Sequence, residues 1–126
     1  ALGSVMLRHP GGANWPVHVS QAGENHEVAR AIAKHGARRL VHPRRQLDMS
    51  RAEKFLKKAP GYAYLSVHYG WALRTLFADA ARYEGVIILE EDIEVAPDFF
   101  DYFNATAPLL YQDDNPRRYQ PLILHR

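Results

Sequence analysis

Cysteine is absent from the 126 residues. That removes a disulfide framework and any thiolate metal site, and it leaves the redox compartment open. An excess of one charge is nearly absent too, since 16 lysines and arginines stand against 14 acids for a formal net charge of +2. The basic residues are scattered, RRLVHPRR at 38–45 being the densest group, and this gives no argument for a nucleic-acid partner. No apolar run reaches the roughly 18 residues needed to span a bilayer. The opening ALGSVMLRHPGG lacks the basic-then-apolar order of a secretory signal. Internal repeats and low-complexity tracts are missing as well. The chain therefore reads as soluble, or as a piece of something longer. What it does have is 47% hydrophobic residues, enough for a core, in a length that fits a single domain over residues 1–126.

Strand and helix signals alternate along the chain, which marks an α/β layer structure. PGGANW at 10–15 is a turn-rich entry, and PVHVS after it sets Val17 and Val19 on one face of a short strand. Asn25 is placed to cap a helix that carries Val28, Ala29, Ile32 and Ala33 on one stripe, and Gly36 is placed to end it. ARRLVHP predicts a second strand stopped by Pro43. Residues 43–59 read as a loop with a helical turn at 52–57. From Gly61 the spacing of Leu65, His68, Ala72, Leu73 and Leu76 predicts a longer helix, with Trp71 as packing rather than a sugar platform. VIIL at 86–89 is a β-branched apolar run, as expected of a strand buried on both faces. Pro97 and Asp98 suit the first turn of a last helix, burying Phe99, Phe103 and Leu110, with Pro108 limiting its regularity. The sequon NAT at Asn104 falls inside that helix, so its glycosylation is not expected.

The acids Glu90, Glu91 and Asp92 thus stand where a central strand would end and cross over to a helix. Ligands of open α/β sheets bind at that edge. On an extended segment Glu90 and Asp92 would point one way and Glu91 the other. Three adjacent carboxylates repel one another unless a cation compensates, and hard ions such as Mn²⁺ or Mg²⁺ take oxygen from one or two carboxylates and a diphosphate. An acidic run is also what a solvated loop looks like. Composition leaves both readings open.

The segment VIILEEDIEVAPDFFDYFNATAPLL resembles the metal-binding segment of the β-1,2-N-acetylglucosaminyltransferase I family, whose variant of the DxD motif is E-D-D followed by L-E-V-A-P-D-F-F. HYGWAL at 68–73 resembles that family's H-Y-R-W-A-L helix, and VSQAGENHEVARAIAKHG at 19–36 resembles its V-S-Q-D strand-to-helix segment. The likeness covers residues 16–114 and leaves 115–126 as a divergent tail. It implies a partial GT-A-type, Rossmann-like nucleotide-sugar-binding domain with a mostly parallel sheet flanked by helices. It also implies a Golgi enzyme, lumenal and membrane-anchored through a segment not in this chain, that uses Mn²⁺. The donor would be UDP-N-acetylglucosamine and the acceptor a mannose-terminated N-glycan, joined in a β-1,2 linkage with inversion. By position Asp92 corresponds to the metal ligand, Glu90 and Glu91 to the acids beside it that contact the donor's sugar and ribose, and His68 to a histidine lining the uridine site.

Departures from the pattern matter as much. Ala22 stands where the family has aspartate after V-S-Q, so a uracil contact is lost unless Glu24 substitutes. Glu91 makes the motif E-E-D, a form shared with the related protein O-mannose transferases, which keeps that acceptor as an alternative. A first nucleotide-binding strand is expected before residue 1, and the segment carrying the catalytic base is expected downstream. The resemblance therefore predicts a fragment, inactive alone, or one that retains only metal and UDP binding.

Overall fold

The structure is a computed structural model that describes residues 1–11, 14–43, 46, 49–50, 54–78, 83 and 85–111. The chain divides into two compact units, Gly12–Glu90 on one hand and Ala1–Gly11 with Glu91–Arg126 on the other. The expectation for the tail 115–126 lies outside the described residues. No helix of the described residues is long and apolar enough to cross a membrane.

In the larger unit, β1 (His18–Ala22), α2 (His26–Lys34) and β2 (Arg38–His42) form a parallel strand–helix–strand unit. Local chemistry accounts for each boundary. The Asn25 side chain accepts hydrogen bonds from the backbone N–H groups of Glu27 and Val28, which meets two donors the helix leaves unpaired. Ile32 is then driven into the core, with 2% of its surface exposed. Gly36 takes φ of +68°, where a side chain would be strained, and its N–H closes on the Ala33 carbonyl at 3.0 Å. The strands pair in the register Ser20 with Leu40, and the ladder extends from Arg38 N–H donating to Val17 O at 2.9 Å to Gly23 N–H donating to His42 O at 2.8 Å. Gly23, at φ +76°, turns the chain away from the sheet.

α3 (Lys54–Lys58) partly overlaps the helical turn expected at 52–57, whose first two residues lie outside the described set. α4 (Pro60–Leu76) begins one residue before the start expected at Gly61, on a proline that suits a helix's first position, and buries no residue fully. Leu65, assigned to its core stripe, is 43% exposed. The helix instead meets the strands through a polar and aromatic edge, His68 and Trp71. The reason is the shape of the sheet: two strands cover only a narrow strip of a 17-residue helix.

Among the described residues the sheet has these two strands alone, and residues 86–89 are not part of it. This corrects the expected central strand. Val86 and Ile88 are exposed, Ile88 by 46%. A β-branched run supplies the propensity, but a strand exists only where a neighbour completes its ladder.

The smaller unit holds α1 (Leu2–Arg8) and α5 (Phe99–Tyr111). Ser4 Oγ donates to the Ala1 carbonyl at 2.9 Å and accepts from Val95 N–H at 3.3 Å, which fixes the approach to α5. Phe100, 8% exposed, is the buried aromatic and meets His9 edge-on, while Phe99 and Phe103 are half-buried. The expected residues Phe99 and Phe103 are thus only partly covered, and the fully buried ring is their neighbour Phe100. α5 continues past Pro108 to Tyr111, losing the single donor that proline lacks. The Leu110 side chain lies outside what is described.

Candidate functional site

The acidic run straddles the boundary of the two units, Glu90 closing one and Glu91 and Asp92 opening the other. Glu90 is held from α4, where Tyr69 donates its hydroxyl to Oε1 at 3.1 Å. Glu91 and Asp92 form a turn, so the strict alternation expected of an extended segment stops at Glu90. All three carboxylates are exposed, and water screens their mutual repulsion. Among the described residues no three histidine, aspartate or glutamate side chains are gathered to hold a metal ion by themselves.

His68 lies in a different setting. About two turns into α4 it faces the sheet, and its Nε2 is 2.9 Å from Ser20 Oγ on β1. Its ring centroid lies 5.4 Å from that of His42 on β2, and the His42 ring is 4.9 Å from Trp71. Nδ1 of His68 is buried with no hydrogen-bond partner among the described residues. Burial first, and the neighbouring His42 second, hold His68 below the ordinary histidine value of 6.5, while hydrogen bonding to Ser20 works the other way.

At the C-terminal ends of β1 and β2, Ala22, Gly23, Glu24, Val41 and Pro43 line an open groove. Gln21, which precedes the lining residue Ala22 on β1, is 7% exposed, its Nε2 donating to the carbonyls of Gly23 at 2.8 Å and Asn25 at 3.5 Å. Carbonyls only accept, so Nε2 is correctly the donor and Oε1 is left as a buried acceptor without a partner among the described residues. Glu24, the possible substitute for the aspartate missing at Ala22, is paired with Arg39 at 3.2 Å. That pair is largely exposed and contributes little to stability.

The structure therefore gathers His68, Ser20, His42 and Trp71 in one cluster, and connects Glu90 to the same helix through Tyr69. Sequence reasoning singled out neither Ser20 nor His42. His42 closes the C-terminal end of a parallel strand, and that rule of placement was the available signal for it, whereas Ser20 sits at the middle of β1, where no such signal points.

Two parallel strands joined by a helix, with an open groove where the strands end, define an α/β architecture of the kind that binds ligands at that edge. The chain belongs to the GNT-I family: the family model matches residues 1–116, taking in the first fifteen residues, where no motif had been read. It is 36% identical, over 114 residues, to the alpha-1,3-mannosyl-glycoprotein 2-beta-N-acetylglucosaminyltransferase of Arabidopsis thaliana, an alignment covering 86% of this chain and 24% of that protein. The chain thus spans about a quarter of the length of the curated relative it matches. No solved structure matches it.

Proposed function

We propose that this chain is the donor-binding part of a β-1,2-N-acetylglucosaminyltransferase that transfers N-acetylglucosamine from UDP-N-acetylglucosamine to a terminal mannose of a glycoprotein, with a GT-A-type fold. The observation that carries the reading is the segment LEEDIEVAPDFF at 89–100 in a chain that belongs to the GNT-I family. The relative's name specifies an alpha-1,3-mannosyl-glycoprotein acceptor, which favours an N-glycan over protein O-mannose.

The donor set fits Mn²⁺ in one manner. Its atoms are carboxylate oxygens, and a hard divalent ion of this kind needs only one or two of them when a diphosphate and water complete its shell. A closed cage of three protein ligands is neither needed for this nor found among the described residues. Asp92 would hold the ion, and Glu90 and Glu91 would meet the donor's sugar and ribose. When bound, the ion neutralises charge that develops on a departing diphosphate. Tyr69 restrains the Glu90 carboxylate on the helix side, so that acid is oriented before a donor arrives. Inversion by direct displacement needs a base for the acceptor hydroxyl, and no residue of this chain is assigned that role.

Calorimetric titration with UDP-N-acetylglucosamine, with and without Mn²⁺, tests the reading. Binding by the intact chain is expected to depend on Mn²⁺ and to weaken about ten- to hundredfold in Asp92→Ala, the equivalent of one charged contact of about 1.5–3 kcal/mol. Binding that ignores both the ion and the substitution would remove Asp92 from the site, and no binding at all would remove the donor-site reading.

A further inference from the structure

The cluster around His68 has a property that does not depend on the donor-site reading. It joins α4 to both strands, through Ser20 on β1 and through the His42 ring on β2 against His68 and Trp71. α4 buries no residue fully, His68 and Trp71 being half-buried, and these side chains are where it meets the strands.

A neutral imidazole suits this junction and a charged one does not. Nε2 of His68 shares a hydrogen bond with Ser20, whereas Nδ1 is buried with no partner among the described residues. In the neutral ring protonated at Nε2, Nδ1 offers only a lone pair. A protonated ring carries N–H on both nitrogens, so proton uptake creates a buried, charged donor with nothing to accept it. From β2 the group facing it is a second imidazole, His42, and from β1 it is the hydroxyl of Ser20, which does not ionise. No carboxylate bears on His68 among the described residues. On α4 itself, Trp71 is apolar toward the pair, and Tyr69 is engaged with Glu90.

We propose that His68, His42, Ser20 and Trp71 form a proton-sensitive latch that holds α4 against the β1–β2 sheet near neutral pH and releases it on acidification. His68 in the folded chain binds its proton below the 6.5 of the unfolded chain, by burial and then by His42. Across the window between those two values the unfolded state carries more protons than the folded one. The latch therefore contributes fully above pH 6.5 and is lost as pH falls from there toward the lower folded value. His42 stands between Val41 and Pro43, which line the groove, so release of α4 also frees the strand end on which the groove is built.

Urea unfolding of the full chain between about pH 8 and about pH 5 tests the latch, with an unfolding constant expected to rise by up to about tenfold per pH unit from this one proton. His68→Gln keeps a nitrogen for Ser20 and takes up no proton, so its dependence is expected to be flatter by that amount. Equal slopes in the parent and in His68→Gln overturn the proposal. If His68→Gln does not fold, the imidazole resonances of the parent decide. A His68 midpoint below 6.5 that moves up in His42→Phe supports the latch, and a midpoint at or above 6.5, or one that His42→Phe leaves in place, overturns it.

Discussion

Two five- and four-residue stretches of the larger unit invert what composition alone would rank. RRLVH at 38–42 carries two arginines and a histidine, yet it is a strand paired along its length with β1. VIIL at 86–89 has four branched aliphatics and belongs to no strand among the described residues. The difference lies in the neighbour. Asn25, α2 and Gly36 return the chain so that residues 38–42 meet residues 18–22 in parallel register, and every second N–H finds a carbonyl. Arg38 and Arg39 remain tolerable because both are exposed, Arg39 reaching Glu24. Side-chain propensity of about 1 kcal/mol or less per residue cannot replace a missing ladder.

The sharpest way to break this comparison is to remove a ladder donor from β2. Leu40 sits in the middle of the strand, and the bonds at Arg38 N–H and His42 O place its N–H toward β1 by the parallel alternation. Leu40→Pro is expected to cost about 3 kcal/mol or more, combining an acceptor left unpaired, about 1–3 kcal/mol, with part of a leucine's burial. Chemical denaturation followed by far-ultraviolet circular dichroism measures it, and a midpoint near that of the parent would mean that the β1–β2 pairing is not what holds the unit. A smaller effect tests the helix that brings the two strands together. Asn25→Ala removes the side-chain acceptor for Glu27 and Val28 and is expected to cost about 1 kcal/mol, with Asn25→Ser recovering most of it.

What the sequence made legible follows the same division. Asn25 and Gly36 act within a few residues of themselves, and each boundary they announce is found where it was expected. The family was legible too, from three motifs in order. Contacts between distant residues were not. Ser20 and His68 are 48 positions apart: the apolar spacing put His68 on the inward stripe of α4, but nothing in either residue's own context pairs the two. The apolar spacing on α4 named Leu65 as core, but whether a stripe is covered depends on how many strands lie beneath it. The acidic run shows both sides: its composition and its neighbours in sequence identified the segment, while its exposure and its turn at Glu91 came only with the structure.

The smallest expected effect sharpens the comparison most, because it asks the same question of the other stretch. Ile88→Pro places in residues 86–89 the lesion that β2 is expected not to survive. Ile88 is half exposed and donates no hydrogen bond among the described residues, so proline removes no ladder bond and little buried surface. The expected change is within about 0.5–1 kcal/mol of the parent, as for an ordinary surface substitution. Both variants would be measured under one set of conditions, so that the ratio of the two costs, rather than either alone, carries the result. Equal costs would show that residues 86–89 do pair with something in solution, and the strand that their composition predicts would be restored. A large cost at Leu40 beside a small one at Ile88 would show that the ladder of this unit ends at β2. The mount of Glu90 would then be its bond from Tyr69 on α4, and not a strand beneath it.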